Sequence, residues 1–149
     1  MTCTLDASLV FLLGQGGKED ARAPRFQAIY ADLAESFMLV APEMLAYEMA
    51  NLVHGRARDP AKAATARHAQ LEEALSGILL FPTRPECRLR IGELVEKHGL
   101  SAYDAAYLEI AERLGGLLAT EDEVLHRAAV KVLGAKRALR LAGLEKLST

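Results

Sequence analysis

The chain has 149 residues, 51% hydrophobic and 26% charged, with a formal net charge of -2, proportions that exclude disordered, fibrous and uniformly nucleic-acid-coating classes but not a local basic patch. The length suits a single domain with a proper core, and Cys3 and Cys87 stand far apart with neither a C-x-x-C pair nor a histidine at zinc spacing. No basic leader opens the sequence and no apolar run approaches a membrane span, so a soluble cytoplasmic protein in a reducing compartment is expected.

In chain order, CTLDA predicts a short strand ending at Asp6, followed by a helix over residues 8–13. GQGG at 14–17 reads as a plain flexible loop rather than a phosphate cradle. Pro24 suits the first turn of a helix through RFQAIYADLAES, FMLVA a second buried strand, and Pro42 the opening of the helix PEMLAYEMANLVHGRA. Asp59 as N-cap and Pro60 at the first helical position start a helix through DPAKAATARHAQLEEALSG. ILLFP is a third strand, and Pro85 starts a helix running to Lys97 and ended by Gly99. The helix SAYDAAYLEIAERLG leads into the strand GLLAT. Thr120 and Glu123 then predict a capping box for EDEVLHRAAVKVL, and RALRLAG is a last short strand. Short apolar strands alternating with amphipathic helices predict an α/β fold with a mainly parallel sheet.

Ligands of such sheets collect beyond the carboxyl ends of the strands. Asp6 ends the first strand, and Asp122 lies just past GLLAT. Asp104 sits in the first turn of the helix that runs antiparallel to that strand. Glu48 lies in the second turn after FMLVA, on the face of Leu45, Met49 and Leu52. Four acids from four segments thus converge on one rim. Carboxylates so close repel one another unless a cation sits among them, and an all-oxygen donor set suits Mg2+ or Mn2+.

Each acid also has a simpler explanation. Ser101-x-x-Asp104 has the form of a capping box, and Asp122 with Glu121 and Glu123 complements a helix dipole. Asp6 could end its strand in an Asx-turn, and Glu48 could pair with Arg56 or Arg58. The coincidence of all four at one edge favours the metal reading.

LDAS, APEMLAYEMAN, HGLSAYDAAYLEIAERLG and LLATEDEVL, in that order across residues 4–125, resemble the PIN-domain family, and most of all the VapC toxins of bacterial toxin–antitoxin pairs. The resemblance implies a three-layer α/β/α sandwich around a five-stranded, mainly parallel sheet. It also implies a Mg2+- or Mn2+-dependent endoribonuclease acting on RNA, dimeric and restrained by a VapB-like antitoxin. The family's acids fall on Asp6, Glu48, Asp104 and, for the more variable fourth, Asp122. Its accompanying polar residues fall on Ser8, Asn51 and Thr120, which are expected to hydrogen-bond the carboxylates from behind. The chain departs from the family in two places. Glu121 beside Asp122 leaves open which carboxylate faces the metal, and the tail HRAAVKVLGAKRALRLAGLEKLST replaces the usual short ending.

Arg56, Arg58, Lys62 and Arg67 either steer RNA electrostatically or form a solvated face, and the tail's Lys131, Lys136, Arg137 and Arg140 pose the same choice. Tyr103 and Tyr107 either stack on bases or fill the core. Met38, Met44 and Met49 either line an apolar surface for an antitoxin helix or pack inside. His54 and His126 read as surface residues without a nucleophile partner. Two other readings stand beside the toxin: a PIN nuclease of RNA processing without an antitoxin, and a catalytically idle α/β binding module, for which four inward acids have no purpose.

Overall fold

The structure is a computed structural model and describes residues 1–15 and 17–148. Among these, five strands form one parallel sheet: β1 (Thr2–Leu5), β2 (Met38–Pro42), β3 (Leu79–Phe81), β4 (Leu117–Ala119) and β5 (Ala138–Leu139), in the spatial order β3-β2-β1-β4-β5. β1 is central, with Cys3 opposite both Leu39 and Leu117 and Thr4 opposite both Val40 and Leu118. β4 is buried throughout and β1 in its last three residues, as expected where helices cover both faces of a parallel sheet.

The helices α1 (Ala7–Val10), α2 (Ala23–Ser36), α3 (Leu45–His54) and α4 (Ala64–Ser76) lie in the connections from β1 to β2 to β3, which step across the sheet one way. The helices α5 (Pro85–His98), α6 (Ala102–Arg113) and α7 (Glu123–Leu133) lie in the connections from β3 to β4 to β5, which step the other way. Right-handed crossovers then place the two groups on opposite faces, producing the expected three layers. α8 (Leu141–Leu147) closes the described chain against α2. The direction of stepping reverses between β1 and β4, so their carboxyl ends bound the crevice where such sheets bind ligands.

α6 touches β1, β2, β4, α5 and α7, and every residue from position 105 to 111 is buried. Ala105, Ala106 and Ala111 give it a slim profile that lets it settle this deep. Its one buried acid on the far turn, Glu109, is neutralised by Arg113 at 2.7 Å. No helix among the described residues is long and apolar enough to cross a membrane.

Three local expectations need correction. Pro42 does not open α3 but is the last residue of β2, opposite Phe81. The pairing with β1 has already ended at Val40, so Pro42 needs no N–H there, and the ladder to β3 continues through the Glu43 N–H to the Phe81 carbonyl at 2.9 Å. Asp59 caps a turn rather than a helix. Its carboxylate accepts from the Ala61 N–H at 2.9 Å, Arg67 donates to the Asp59 and Lys62 carbonyls, and α4 starts only at Ala64. RALRLAG supplies only the two residues of β5 before the chain turns into α8. The loop reading of GQGG falls partly on Gly16, outside the described residues; Gly14 ends a short 3-10 turn begun at Phe11.

Candidate active site

Asp6 follows β1 directly and caps α1, with its backbone N–H still extending the sheet to the Ala119 carbonyl. Its side chain is 4% exposed. Oδ1 accepts from the Ser8 hydroxyl at 2.6 Å and from the Leu9 N–H at 3.4 Å, and Oδ2 accepts from the Thr120 hydroxyl at 2.5 Å. Both hydroxyls are themselves held. Ser8 Oγ accepts from the Glu121 N–H at 3.0 Å, and Thr120 Oγ1 accepts from the Asp122 N–H at 2.9 Å. Two backbone amides beyond β4 thereby fix the orientation of two hydroxyls, and the hydroxyls fix the carboxylate. Burial raises the Asp6 pKa to about 6; the donors from Ser8, Thr120 and Leu9 pull it down, and the charge of Asp104 adds to the rise.

Asp104 is half-buried in the first turn of α6, where its N–H donates to the hydroxyl of the N-cap Ser101 at 3.1 Å. The backbone half of the expected capping interaction is therefore present. Burial raises the Asp104 pKa, the charge of Asp122 raises it further, and the Ser101 hydroxyl partly offsets both. Glu48 is half-buried on α3 and accepts from the Tyr107 hydroxyl at 3.1 Å. Burial raises its pKa too, with Tyr107 opposing and Asp104 reinforcing. Asp104 is thus within electrostatic reach of each of the other three acids. The phenol of Tyr107, 1% exposed, is pushed upward by burial and then by the charges of Glu48, Asp6 and Asp104. Tyr107 is a core residue with its polar tip turned to the acids, a role that helical spacing alone did not reveal.

Asp122 is exposed and caps α7, its Oδ1 accepting from the Leu125 N–H at 2.7 Å. The expected capping box of Thr120 and Glu123 is absent. The helix starts after Asp122, and the Thr120 hydroxyl serves Asp6 instead. Glu121 is turned toward the tail. It accepts from the Leu141 N–H at 2.9 Å and from Arg140 at 3.3 Å and faces Arg22 at 3.5 Å. Burial disfavours its charge, but Leu141, Arg140 and Arg22 outweigh that and lower its pKa.

The other candidate residues scatter. Asn51 is exposed, and no hydrogen bond among the described residues joins its side chain to the acids. Glu48 does not pair with Arg56 or Arg58. Arg56 is exposed, Arg58 reaches the Gly55 carbonyl at 3.3 Å, and Lys62 reaches Gln70 at 3.4 Å. Together with Arg67, Arg58 and Lys62 line a cavity of about 390 Å3 beyond the end of α3. Arg137 donates to the Gly116 and Ala111 carbonyls, so it braces the fold. Tyr103 is 61% and Met38 57% exposed, while Met49 is buried and Met44 half-buried. His54 and His126 are partly buried, and the His126 ring lies 3.3 Å from the Ala138 carbonyl.

None of the ion pairs seen among the described residues involves Asp6, Glu48, Asp104 or Asp122. A carboxylate offers about four acceptor positions, and Asp6 has three filled, leaving one on Oδ2. Among the described residues, no three acidic, histidine or cysteine side chains form a closed ligand set by themselves. Mg2+ does not need one: it binds through one or two carboxylates and retains several waters. Hard oxygen donors that repel one another and have no basic counter-charge fit such an ion.

The family model described as PIN domain matches residues 4–131. A search of the curated proteins finds no match. Among solved structures, the chain is similar to PAE2754 from Pyrobaculum aerophilum, with a TM-score of 0.71 and 22% sequence identity, covering 99% of this chain and 89% of that one. Likeness at that identity concerns the fold alone.

Proposed function

This chain belongs to the PIN-domain family, whose members are typically nucleases, and from that premise we propose that it is a Mg2+- or Mn2+-dependent endoribonuclease of the VapC toxin type. It acts in the cytoplasm as a single domain, pairs with a second copy, and is held in check by a VapB-like antitoxin. The observation that carries the reading is Asp6: a buried carboxylate clamped by three donors, beside other acids and without a basic partner. Its three donors and its capping of α1 offset part of the cost of that burial, and a bound cation would offset the charge that burial and Asp104 still disfavour.

In this reading Asp6, Glu48, Asp104 and Asp122 hold the divalent ion. When bound there, a divalent ion supplies Lewis-acid chemistry, making water a competent nucleophile at neutral pH and neutralising charge at the phosphate. Ser8 and Thr120 hold the two oxygens of Asp6 in a fixed plane, and Tyr107 orients Glu48 through its hydroxyl. Asn51 stands outside this network, and Arg56, Arg58 and Lys62 contact RNA phosphates further along the strand. Exposed Tyr47 and Tyr103 near the starts of α3 and α6 offer apolar surface for a protein partner.

The test is cleavage of single-stranded and structured RNA by purified protein. EDTA should abolish it and Mn2+ restore it. Asp6→Asn and Asp104→Asn should each lower the rate at least about a hundredfold, Asp122→Asn less. The Asp6 and Asp104 effects should be far from additive, because both act through one ion. A folded Asp6→Asn protein that cuts like the wild type would sink the assignment. The toxin part is tested separately. Induced expression should arrest bacterial growth and the Asp6→Asn variant should not; a wild-type protein that cuts RNA without arresting growth leaves a nuclease that is not a toxin.

A further inference from the structure

α7 carries Val124, Arg127, Ala128 and Lys131 along one side, and together with His98, the last residue of α5, they line a pocket of about 200 Å3. Two permanent cations and an imidazole stand in its wall, with no carboxylate among them. Arg127 and Lys131 are exposed and take part in none of the hydrogen bonds or ion pairs of the described residues. Five other arginines, Arg22, Arg25, Arg90, Arg113 and Arg140, each meet an acid. Burial, and after it the charges of Lys97, Lys131 and Arg90, keep the His98 pKa below its ordinary value. The pocket wall itself carries Arg127 and Lys131 with no acid among its lining residues, so their charge is left uncompensated there.

The position of the pocket suggests what the counter-ion is. α7 is capped by Asp122, and His98 ends α5 just before the cap of α6 that leads to Asp104. At 1.5 Å per residue, Arg127 and Lys131 stand roughly 7 and 13 Å along the helix from Asp122. A stacked strand covers those distances in about two to four nucleotides. An acidic rim repels a polyanion, so a strand crossing it needs positive charge close by. The guanidinium fork, the ammonium and a ring N–H, available in either charge state of the imidazole, together offer the donors that a phosphate's oxygens accept.

We infer that the His98–Arg127–Lys131 pocket is a subsite for a backbone phosphate of the RNA strand, a few nucleotides from the bond that is cut. It rests on the nuclease reading of the neighbouring acids and sets the register of the strand across them. In the sequence Lys131 is only one of several tail bases; the fold is what sets it beside Arg127 and His98.

The test compares wild type with the Arg127→Ala/Lys131→Ala double variant; both side chains are exposed, and a thermal melt checks that the fold is kept. Binding of a single-stranded RNA decamer is read by anisotropy before appreciable cleavage, across a salt series. The double variant should bind about tenfold more weakly, with a salt slope lower by roughly 1 to 2, and keep its kcat at saturating RNA. Lys136→Ala, in the connection between α7 and β5 and outside the pocket lining, should change nothing. Replacing one phosphate of the decamer with a neutral methylphosphonate should weaken wild-type binding and leave the double variant indifferent. Equal Kd and slope in the two proteins overturn the subsite. So does displacement of wild-type RNA by inorganic phosphate with no single linkage mattering, which would make this a small-anion site. A wild type that binds through the pocket without cutting sinks the nuclease reading and leaves the subsite standing.

Discussion

At Asp6 two demands oppose each other. Burial favours the protonated acid, the three donors favour the carboxylate, and burial wins, raising the pKa from 3.8 to about 6. The folded state therefore binds a proton that the unfolded chain has already released. In metal-free protein this contribution to stability is fully present below about pH 4 and lost as the pH rises through 6, the reverse of a salt-bridged aspartate. Its size is roughly 3 kcal/mol. Glu121 and Glu112, held below the ordinary range, work in the opposite sense. The difference between wild type and Asp6→Asn isolates the effect, since asparagine does not titrate there. Urea unfolding in EDTA from pH 4 to 7 should show wild type losing ground to Asp6→Asn across that window; a constant difference would mean that Asp6 titrates normally.

The elements show how small residues decide where the chain can pass. Gly116, at the entry to β4, lies so close to β1 that a methyl group there would collide with the Thr2 hydroxyl and lie 2.5 Å from its carbonyl oxygen. Gly116→Ala should therefore destabilise the fold by about 1–3 kcal/mol. Gly92 sits inside α5 with open space around it, and Gly92→Ala should stabilise by about 0.5–1 kcal/mol. Thermal melts of the two variants that move in the same direction would refute this contrast. The alternation of elements was legible because buried parallel strands are short apolar runs and the helices carry a 3.6-residue period. Gly99 was legible too: it ends α5 in the left-handed region. The starts of α3 and α4 were not, because Pro42 and Asp59 each satisfy a local rule in more than one way. A proline suits a strand end as well as a first turn, and an aspartate caps a turn as well as a helix. Thr120 failed as a cap for a tertiary reason: its hydroxyl is committed to Asp6, 114 residues away.

Over the whole molecule, the four acids come from the ends of β1 and β4 and the starts of α3 and α6, so a shared ion would tie both layers of helices to the sheet. Mg2+ or Mn2+ should raise the melting temperature through about 2.7 kcal/mol of added stability at a hundred times Kd, and Asp104→Asn should blunt the rise. A full shift in that variant counts against Asp104 as a ligand. Light scattering should find a symmetric dimer, with Tyr47 or Tyr103 covered; a monomer at every concentration would remove the dimer and leave the nuclease untouched. The cradle of Asp6 has one further consequence, which lies in time rather than in space. β1 is synthesised before β4, and the hydroxyl that completes the cradle is the 114th residue after Asp6. At about 5–20 residues per second, roughly ten seconds separate the two ends of that hydrogen bond. Until β4 emerges and pairs with β1, Asp6 lacks the Thr120 donor and stays an ordinary solvated aspartate. Until that pairing forms, the proposed metal site lacks its most buried ligand in working form.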